Sequence, residues 1–262
     1  RVIGHSLTCG SYLSAHYPGI PKCMVIWGQN PTESRLLQAD FVHALLGRGS
    51  KLIVIDPRAT PLAKEADIHA QIRPGTDCAL ALAMLNVIIE EGLYAKEYVA
   101  ERTEGFDALK ATVAKYTPDY VEKISGVGAE DLKKAARMYA KANRASIIYA
   151  MGITQHITGT DNVKSIANLA MLCGNVGIEG GGVNPLRGQN NVQGACDMGA
   201  LNAVYPAYQP VASDDNKAKF EKAWLPGFEL SKKPGLTIVE SLNAAMAATV
   251  ILFEAARQSR TR

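Results

Sequence analysis

The chain has 262 residues, 47% of them hydrophobic, and a formal net charge of +3 at pH 7. This length and composition can bury a sizeable core in one large or two small domains, and the mild charge argues against a nucleic-acid partner. The apolar runs are too short to span a membrane and no signal peptide is visible, so we expect a cytoplasmic protein without a membrane span.

Five cysteines are scattered along the chain, and no two of them form a CxxC pair. The sequence therefore argues against a zinc or iron–sulfur site built from neighbouring cysteines, and we predict no metal ligand in this chain. The odd number and wide spacing are typical of reduced thiols rather than of a disulfide framework.

Strands and helices alternate in the first part of the chain. Cys23–Trp27 is a continuous apolar run, which predicts a buried strand, and Lys51–Ile55 is predicted as the second strand. A helix is predicted between them from Glu33 to Leu46, and glycines end it. Its predicted buried face consists of Leu36, Leu37, Phe41, Ala44 and Leu45. Strand, helix and strand in this order predict a parallel unit and an α/β fold.

Polar segments follow both strands, at Gly28–Glu33 and at Asp56–Arg58. Ligands of parallel sheets gather at the carboxyl ends of the strands, so we expect a nucleotide here. No GxGxxG motif follows either strand, which disfavours an ordinary nicotinamide enzyme. The alternative for Asn30–Thr32 is a turn that caps the next helix.

Three more helices are predicted from their first residues. Asp77 caps an apolar helix that runs towards Ile89, Thr117 and Pro118 begin a second, and Glu130 begins a third. The third helix is predicted to bury Leu132, Ala135, Ala136 and Tyr139.

A third strand, Ser146–Ala150, again ends in a polar, glycine-containing segment, Met151–His156. The helix Asp161–Cys173 follows, and Gly174 ends it. This helix is predicted to bury Val163, Ile166, Ala167, Ala170 and Leu172.

The segment Gly180–Asp197 combines glycines, Arg187 and a run of amide side chains without core periodicity. Glycine lets backbone amides approach a ligand, arginine donates to oxyanions, and amides suit the edge of a heterocycle. The segment therefore predicts a site for a large, anionic, heteroaromatic ligand. The alternative is an ordinary polar surface loop.

In this order the motifs resemble those of the molybdopterin oxidoreductase family, and most closely its molybdenum or tungsten formate dehydrogenases. The resemblance covers about Cys23 to Trp224, and its most specific part is Gly182–Gly199. The other motifs are Tyr98–Phe106, Ala136–Ala140, Gly28-x-Asn30-Pro31, Asp56-Pro57-Arg58 and Gly75-Thr76-Asp77.

The resemblance implies parallel Rossmann-like sheets flanked by helices, as in the two central cofactor-binding domains of that family. Residues 1–140 would form an α/β domain for a pterin guanine dinucleotide, with inserted helices. Residues 141–262 would form a second α/β segment that carries the glycine–arginine–amide loop and is truncated at its C-terminus. The implied cofactor is a bis-molybdopterin guanine dinucleotide with molybdenum or tungsten.

The resemblance also assigns residues to the cofactor. One guanine dinucleotide would be lined by Gly28, Asn30, Glu33, Asp56, Arg58, Gly75 and Asp77. The pterin and metal region would be faced by Met151, Gly152, Gln155, Arg187, Gly188, Gln189 and Asn190.

Arg187 and His5 are the catalytic candidates. The resemblance places Arg187 beside the metal, where its guanidinium would hold the carboxylate of formate through a charge-assisted bond worth about 1.5–3 kcal/mol. In formate dehydrogenases a metal-ligating cysteine or selenocysteine follows arginine–valine and precedes histidine. Here Ile3 stands in its place and the histidine is displaced by one position to His5. The alternative for His5 is an ordinary hydrogen-bonding residue.

We expect a fragment of a larger subunit, with a four-iron four-sulfur cluster in an upstream part and a further domain downstream. The implied partners are formate or another small substrate, and electron-transfer subunits that carry iron–sulfur clusters or flavin. Two alternatives stay open beside a formate dehydrogenase. One is another molybdopterin enzyme, such as a hydratase or a sulfur-compound reductase, and the other is a non-catalytic scaffold that keeps the fold.

Overall fold

The structure is a computed structural model that describes residues 2–11, 19–186, 191–224, 227 and 229–235. The chain divides into two compact units, residues 1–188 and residues 189–262. The elements of the first unit are α1 (Val2–Cys9), β1 (Cys23–Trp27), α2 (Pro31–Ser34), α3 (Leu36–Leu46), β2 (Lys51–Ile55), α4 (Pro61–Glu65), β3 (Ile68–Ala70), α5 (Asp77–Glu90), α6 (Lys96–Arg102), α7 (Phe106–Val113), α8 (Pro118–Ser125), α9 (Ala129–Lys141), β4 (Ala145–Tyr149), α10 (Met151–Thr154), α11 (Gly159–Leu172) and β5 (Gly182–Pro185).

A parallel sheet with the strand order β3-β2-β1-β4-β5 forms the centre of the first unit. Every residue of β1 is buried, because helices cover both faces of the sheet. The chain builds outward from β1 in one direction through β2 and in the other through β4. The predicted α/β class with a parallel, Rossmann-like sheet is therefore confirmed.

Alternate side chains of β1 and β2 enter two separate cores, because successive residues of a strand point to opposite faces. Val25 and Trp27 of β1 pack on one face with residues of α5, α9 and α11. Met24 and Ile26 pack on the other face with residues of α3 and α4. The buried stripes predicted for α9 and α11 are confirmed on the first of these faces.

The helix predicted from Glu33 to Leu46 is instead two helices, α2 and α3, which meet at Arg35 with a φ of −156°. Its predicted buried face was partly wrong: Leu36 and Leu37 are 67% and 87% exposed, and Ala44 is exposed as well. The side chains that α3 buries are Ala39, Val42 and Leu45. The break at Arg35 resets the helical register, so the buried face is set by the second helix alone.

Two described strands of the first unit were not predicted, β3 and β5. β5 lies inside the segment that the sequence predicted to be a ligand-binding loop, and it pairs with β4. Its Val183 and Asn184 are buried, and the amide of Asn184 donates to the Ser146 hydroxyl over 2.7 Å. β5 has only four residues, and glycine and proline are among them, so its sequence shows no strand pattern. It is a strand because it pairs with β4.

The boundary expected between residues 140 and 141 falls inside the first unit, because β4 hydrogen-bonds to β1. The second unit contains α12 (Val192–Asp197), β6 (Val204–Tyr205), a 3₁₀ helix (Pro206–Tyr208), β7 (Gln209–Pro210) and α13 (Asp214–Trp224). β6 and β7 are antiparallel, and the rings of Tyr205, Phe220 and Trp224 form a cluster. None of the helices in the described ranges is long and apolar enough to cross a membrane.

Candidate functional site

A cleft of about 300 Å³ opens at the carboxyl ends of the strands in the first unit. It lies where the strand order reverses, between β1 and its neighbours β2 and β4. Ligands of open α/β sheets bind at this position. Its lining residues are Gly28, Gln29, Asn30, Ile55, Asp56, Pro57, Arg58, Ile72, Pro74, Asp77, Gly152 and His156.

Two glycines bring the turns after β1 and β4 into direct backbone contact. The amide of Gly152 donates to the carbonyl of Gly28 over 3.2 Å. A Cβ on Gly152 would lie 2.7 Å from the Cα of Gly28, far inside van der Waals contact. Gly28 has a φ of +58°, in the left-handed region that favours glycine. Both positions therefore need glycine, because the two turns pack backbone against backbone.

Two neighbouring amide residues that line the cleft each bury one polar atom without a hydrogen-bond partner among the described residues. Gln29 and Asn30 are 6% and 8% exposed. Among the described residues, Oε1 of Gln29 and Nδ2 of Asn30 have no hydrogen-bond partner. Buried polar atoms are nearly always paired, so these two are available to a bound group.

Asp77 is a buried carboxylate at the first turn of α5. Its Oδ1 accepts a hydrogen bond of 2.8 Å from the indole of Trp27, and its Oδ2 lies 3.8 Å from Nε2 of His156. Burial raises the pKa of Asp77, although the bond from Trp27 and the charge of His156 both oppose the shift. His156 donates through the same nitrogen to the carbonyl of Gly152 over 2.8 Å.

Asp56 ends the turn after β2. Its carboxylate accepts from the backbone amide of Arg58 over 2.8 Å, and its backbone carbonyl accepts from His69 over 3.0 Å. The exposed guanidinium of Arg58 lies 3.9 Å from the carboxylate of Glu33. Acidic acceptors and a cationic donor thus face each other across the same opening.

The structure brings together six of the predicted cofactor residues as lining of the cleft: Gly28, Asn30, Asp56, Arg58, Asp77 and Gly152. Glu33 reaches the cleft through Arg58. Gly75, Met151 and Gln155 do not line it, although each stands within three residues of a lining residue. Gly75 takes a φ of +85° in the turn before α5. Arg187, Gly188, Gln189 and Asn190 lie outside the described residues.

His5 lies on α1 and does not line the cleft. It is fully buried, and its Nε2 is 3.0 Å from the hydroxyl of Tyr149, the last residue of β4. α1 packs against α11, so this contact belongs to the face of the sheet that α11 covers.

Sequence reasoning did not predict several lining or supporting residues. Gln29 and His156 carried a usable signal, because each stands in a polar segment directly after a predicted strand. Trp27, Ile72 and Pro74 carried no such signal, because apolar residues at these positions are typical of core packing. In the part of the chain that the structure describes, no three histidine, cysteine or acidic side chains form a group that could hold a metal ion.

Comparison with known proteins adds evidence that is independent of this geometry. The sequence profile of the family described as molybdopterin oxidoreductase matches residues 21–257. The chain is 52% identical over 224 residues to the F420-dependent formate dehydrogenase subunit alpha of Methanocaldococcus jannaschii, covering 86% of this chain and 33% of that protein. It is 49% identical over 216 residues to formate dehydrogenase H of Escherichia coli, covering 80% of this chain and 30% of that protein.

Among solved structures, the chain is similar to acetylene hydratase from Pelobacter acetylenicus, with a TM-score of 0.63 and 38% identity. The match covers 66% of this chain and 24% of that one. The chain thus spans about a third of the length of the curated relatives it matches.

Proposed function

Because the chain belongs to the molybdopterin oxidoreductase family, we propose that it is the cofactor-binding part of a formate dehydrogenase alpha subunit. In the complete subunit this activity oxidises formate to carbon dioxide. The observation that carries the proposal is the identity of about half of all aligned residues with formate dehydrogenase subunits from two organisms.

A molybdenum or tungsten pterin is the cofactor that family membership supports. We propose its bis-guanine-dinucleotide form, with one guanine nucleotide end in the cleft at β1. The residues fit such a group, because acceptors and donors both face the opening. Asp56 and Asp77 accept from N–H and O–H groups, whereas Asn30 and Arg58 donate to oxygens.

The cofactor supplies the two-electron oxidation, and the chain supplies binding and orientation. Arg187 is the proposed substrate residue, because formate offers little besides its carboxylate for a protein to hold. A planar guanidinium binds a carboxylate through two parallel bonds and so sets its direction. For His5, burial against Tyr149 favours a packing role over contact with substrate.

We propose that the complete subunit passes electrons through a four-iron four-sulfur cluster to partner subunits that carry iron–sulfur clusters or flavin. We also propose a cytoplasmic location. The electron-transfer route is supported by the resemblance to formate dehydrogenase subunits. The location is supported by the five scattered cysteines, which are typical of reduced thiols.

The first test is binding. The chain would be produced in cells supplied with molybdate and tungstate, and the purified protein analysed for both metals and for extractable guanine nucleotide. We expect guanine nucleotide to copurify with the chain and to be lost in Asp77→Leu. Protein free of guanine nucleotide would contradict the proposed cleft.

The second test is catalytic. Arg187→Ala in a subunit of the full length of the relatives should lower formate oxidation about 10- to 100-fold, the loss expected for one charge-assisted bond. Arg187→Lys is the matched control, because it keeps the charge without the fork of donors. Formate oxidation that survived Arg187→Ala nearly intact would contradict the substrate role of Arg187.

A hydratase is the second candidate, because the structural match is to an acetylene hydratase. Hydration consumes no electrons, whereas formate oxidation requires an acceptor. Formate-dependent reduction of an artificial dye by the full-length subunit would support the first candidate. Water addition to an alkyne without any acceptor would support the second.

A further inference from the structure

We infer that Gln29 is a specificity-determining residue of the cleft, whose side-chain oxygen accepts a hydrogen bond from an N–H or O–H group of the bound nucleotide. The inference rests on the proposed nucleotide site and adds to it a residue outside the motifs that identified the site. Gln29 is the residue x of the Gly28-x-Asn30-Pro31 motif, for which the motif specifies no residue type.

Among the described residues, only one of the two polar atoms of the Gln29 amide has a hydrogen-bond partner. Its nitrogen donates to Oε1 of Gln38 over 2.7 Å. Its oxygen is buried without a partner, in a residue that lines the cleft. An acceptor buried without a donor carries its full desolvation cost, so a ligand that supplies the donor is bound more tightly.

Gln38 fixes the orientation of the Gln29 amide. It stands on α3, nine residues further along the chain, and its side-chain oxygen accepts from the nitrogen of Gln29. This contact leaves the oxygen of Gln29, rather than the nitrogen, for a bound group. Gln38 is therefore a positioning residue for Gln29, and the helix after the break at Arg35 contributes to the site through it.

The unpaired atoms of Gln29 and Asn30 together indicate the chemistry of the ligand. Gln29 offers an acceptor and Asn30, the next residue, offers a donor, Nδ2, which points to a ligand that both donates and accepts. Two parts of a guanine nucleotide have this property. One is the ribose, through its 2′-hydroxyl, and the other is the edge of the base that carries the exocyclic amine. The 2′-hydroxyl would donate an O–H to Gln29, and the exocyclic amine would donate an N–H.

The test measures binding of guanosine diphosphate to the 262-residue chain by titration calorimetry. Gln29→Met keeps the length of the side chain and removes the acceptor, so we expect affinity to fall about tenfold, as for the loss of about 1.4 kcal/mol. Gln38→Met should weaken binding less, because the acceptor remains but its orientation is released. Asn86→Leu is the matched control: Asn86 is equally buried on α5 and does not line the cleft, so affinity should be unchanged.

Changing the ligand tests the same contact without any variant. If Gln29 binds the ribose, 2′-deoxyguanosine diphosphate should bind the unaltered chain about tenfold more weakly, and Gln29→Met should have no further effect on it. If Gln29 binds the exocyclic amine, inosine diphosphate should behave in this way instead. Either outcome supports the inference, and which of the two is found shows whether the ribose or the exocyclic amine donates to Gln29.

Unchanged affinity of Gln29→Met for guanosine diphosphate would overturn the inference about Gln29 and leave the nucleotide site standing. Equal affinity of the unaltered chain for all three nucleotides would do the same, even if Gln29→Met failed to fold. No binding of any nucleotide by the folded chain would overturn the proposed site and this inference together.

Discussion

The indole Nε1 of Trp27 donates a 2.8 Å hydrogen bond to Oδ1 of Asp77, and so joins the last residue of β1 to the first residue of α5. Trp27 is fully buried and Asp77 is nearly so. The bond holds one carboxylate oxygen inside the protein, while the other lies on the side of His156. A core residue of the sheet thereby orients an acidic group of the cleft.

Asp77→Asn should stabilise the chain at pH 7 in the absence of ligand. Burial raises the pKa of Asp77, so its charged form costs free energy in the folded state, and this cost is absent below the ordinary pKa and complete above the folded one. We expect the Tm to rise by about 2–4 °C, as for about 1 kcal/mol. Urea and thermal unfolding at several pH values measure the effect.

The gain in Asp77→Asn should shrink as the pH falls through the folded pKa of Asp77, because the carboxyl is then neutral in the parent chain too. Guanosine diphosphate should bind this variant more weakly. A variant that is less stable than the parent at pH 7 would contradict the net cost of the buried charge.

Trp27→Phe should lower the free energy of unfolding by about 2–4 kcal/mol, through a lost bond to a charged acceptor and a smaller buried ring. It should also raise the pKa of Asp77 further, because the bond from Trp27 opposes the shift caused by burial. Urea unfolding followed by circular dichroism measures the first effect.

A double-mutant cycle separates the hydrogen bond of Trp27 from its packing. In the Asp77→Asn background the cost of Trp27→Phe should be smaller by about 1 kcal/mol, since the acceptor no longer carries charge. Equal costs in both backgrounds would show that the contact between the two side chains contributes nothing beyond packing.

Gly152→Ala should destabilise the chain by about 2–4 kcal/mol, because the added Cβ would overlap the backbone of Gly28. Backbone on both sides leaves no flexible side chain that could move away. Nucleotide binding should fall with stability, since the same contact forms one side of the cleft.

Gly75→Ala is the control for Gly152→Ala. Gly75 has a φ of +85°, but an added methyl group would meet no described atom within 4 Å, so only backbone strain of about 1–2 kcal/mol is expected. Chemical unfolding of both variants gives the comparison. A Gly152→Ala cost no larger than that of Gly75→Ala would contradict the close approach of the two turns.

Leu45→Ala should lower the free energy of unfolding by about 2–5 kcal/mol, because Leu45 is 2% exposed in the core between α3 and the sheet. Leu37→Ala on the same helix should change it by less than about 0.5 kcal/mol, because Leu37 is 87% exposed. Similar losses for the two variants would mean that Leu37 is buried, as the continuous helix predicted from the sequence requires.

Local patterns were sufficient where a segment is buried on all sides or along one clear face. β1 and β2 were predicted with their observed limits, because each contains at least four consecutive apolar residues and is followed by glycine or by aspartate and proline. The inner stripe of α9 was predicted because acidic and basic residues fill the rest of that helix. The same patterns located Asn30, Asp56 and Asp77 at strand and helix ends, where they line one cleft.

The sequence alone thus determined the α/β class, the strands at its centre and the polar segments that meet at their carboxyl ends. Only the tertiary structure decided which side chains of those segments are buried and which atoms they leave unpaired. The break at Arg35, the pairing of β5 with β4 and the bond from Trp27 to Asp77 were all decided there. Each depends on atoms that lie far apart along the chain or on a single backbone angle. Hydrophobic periodicity reports burial averaged over a whole segment and carries no record of such contacts.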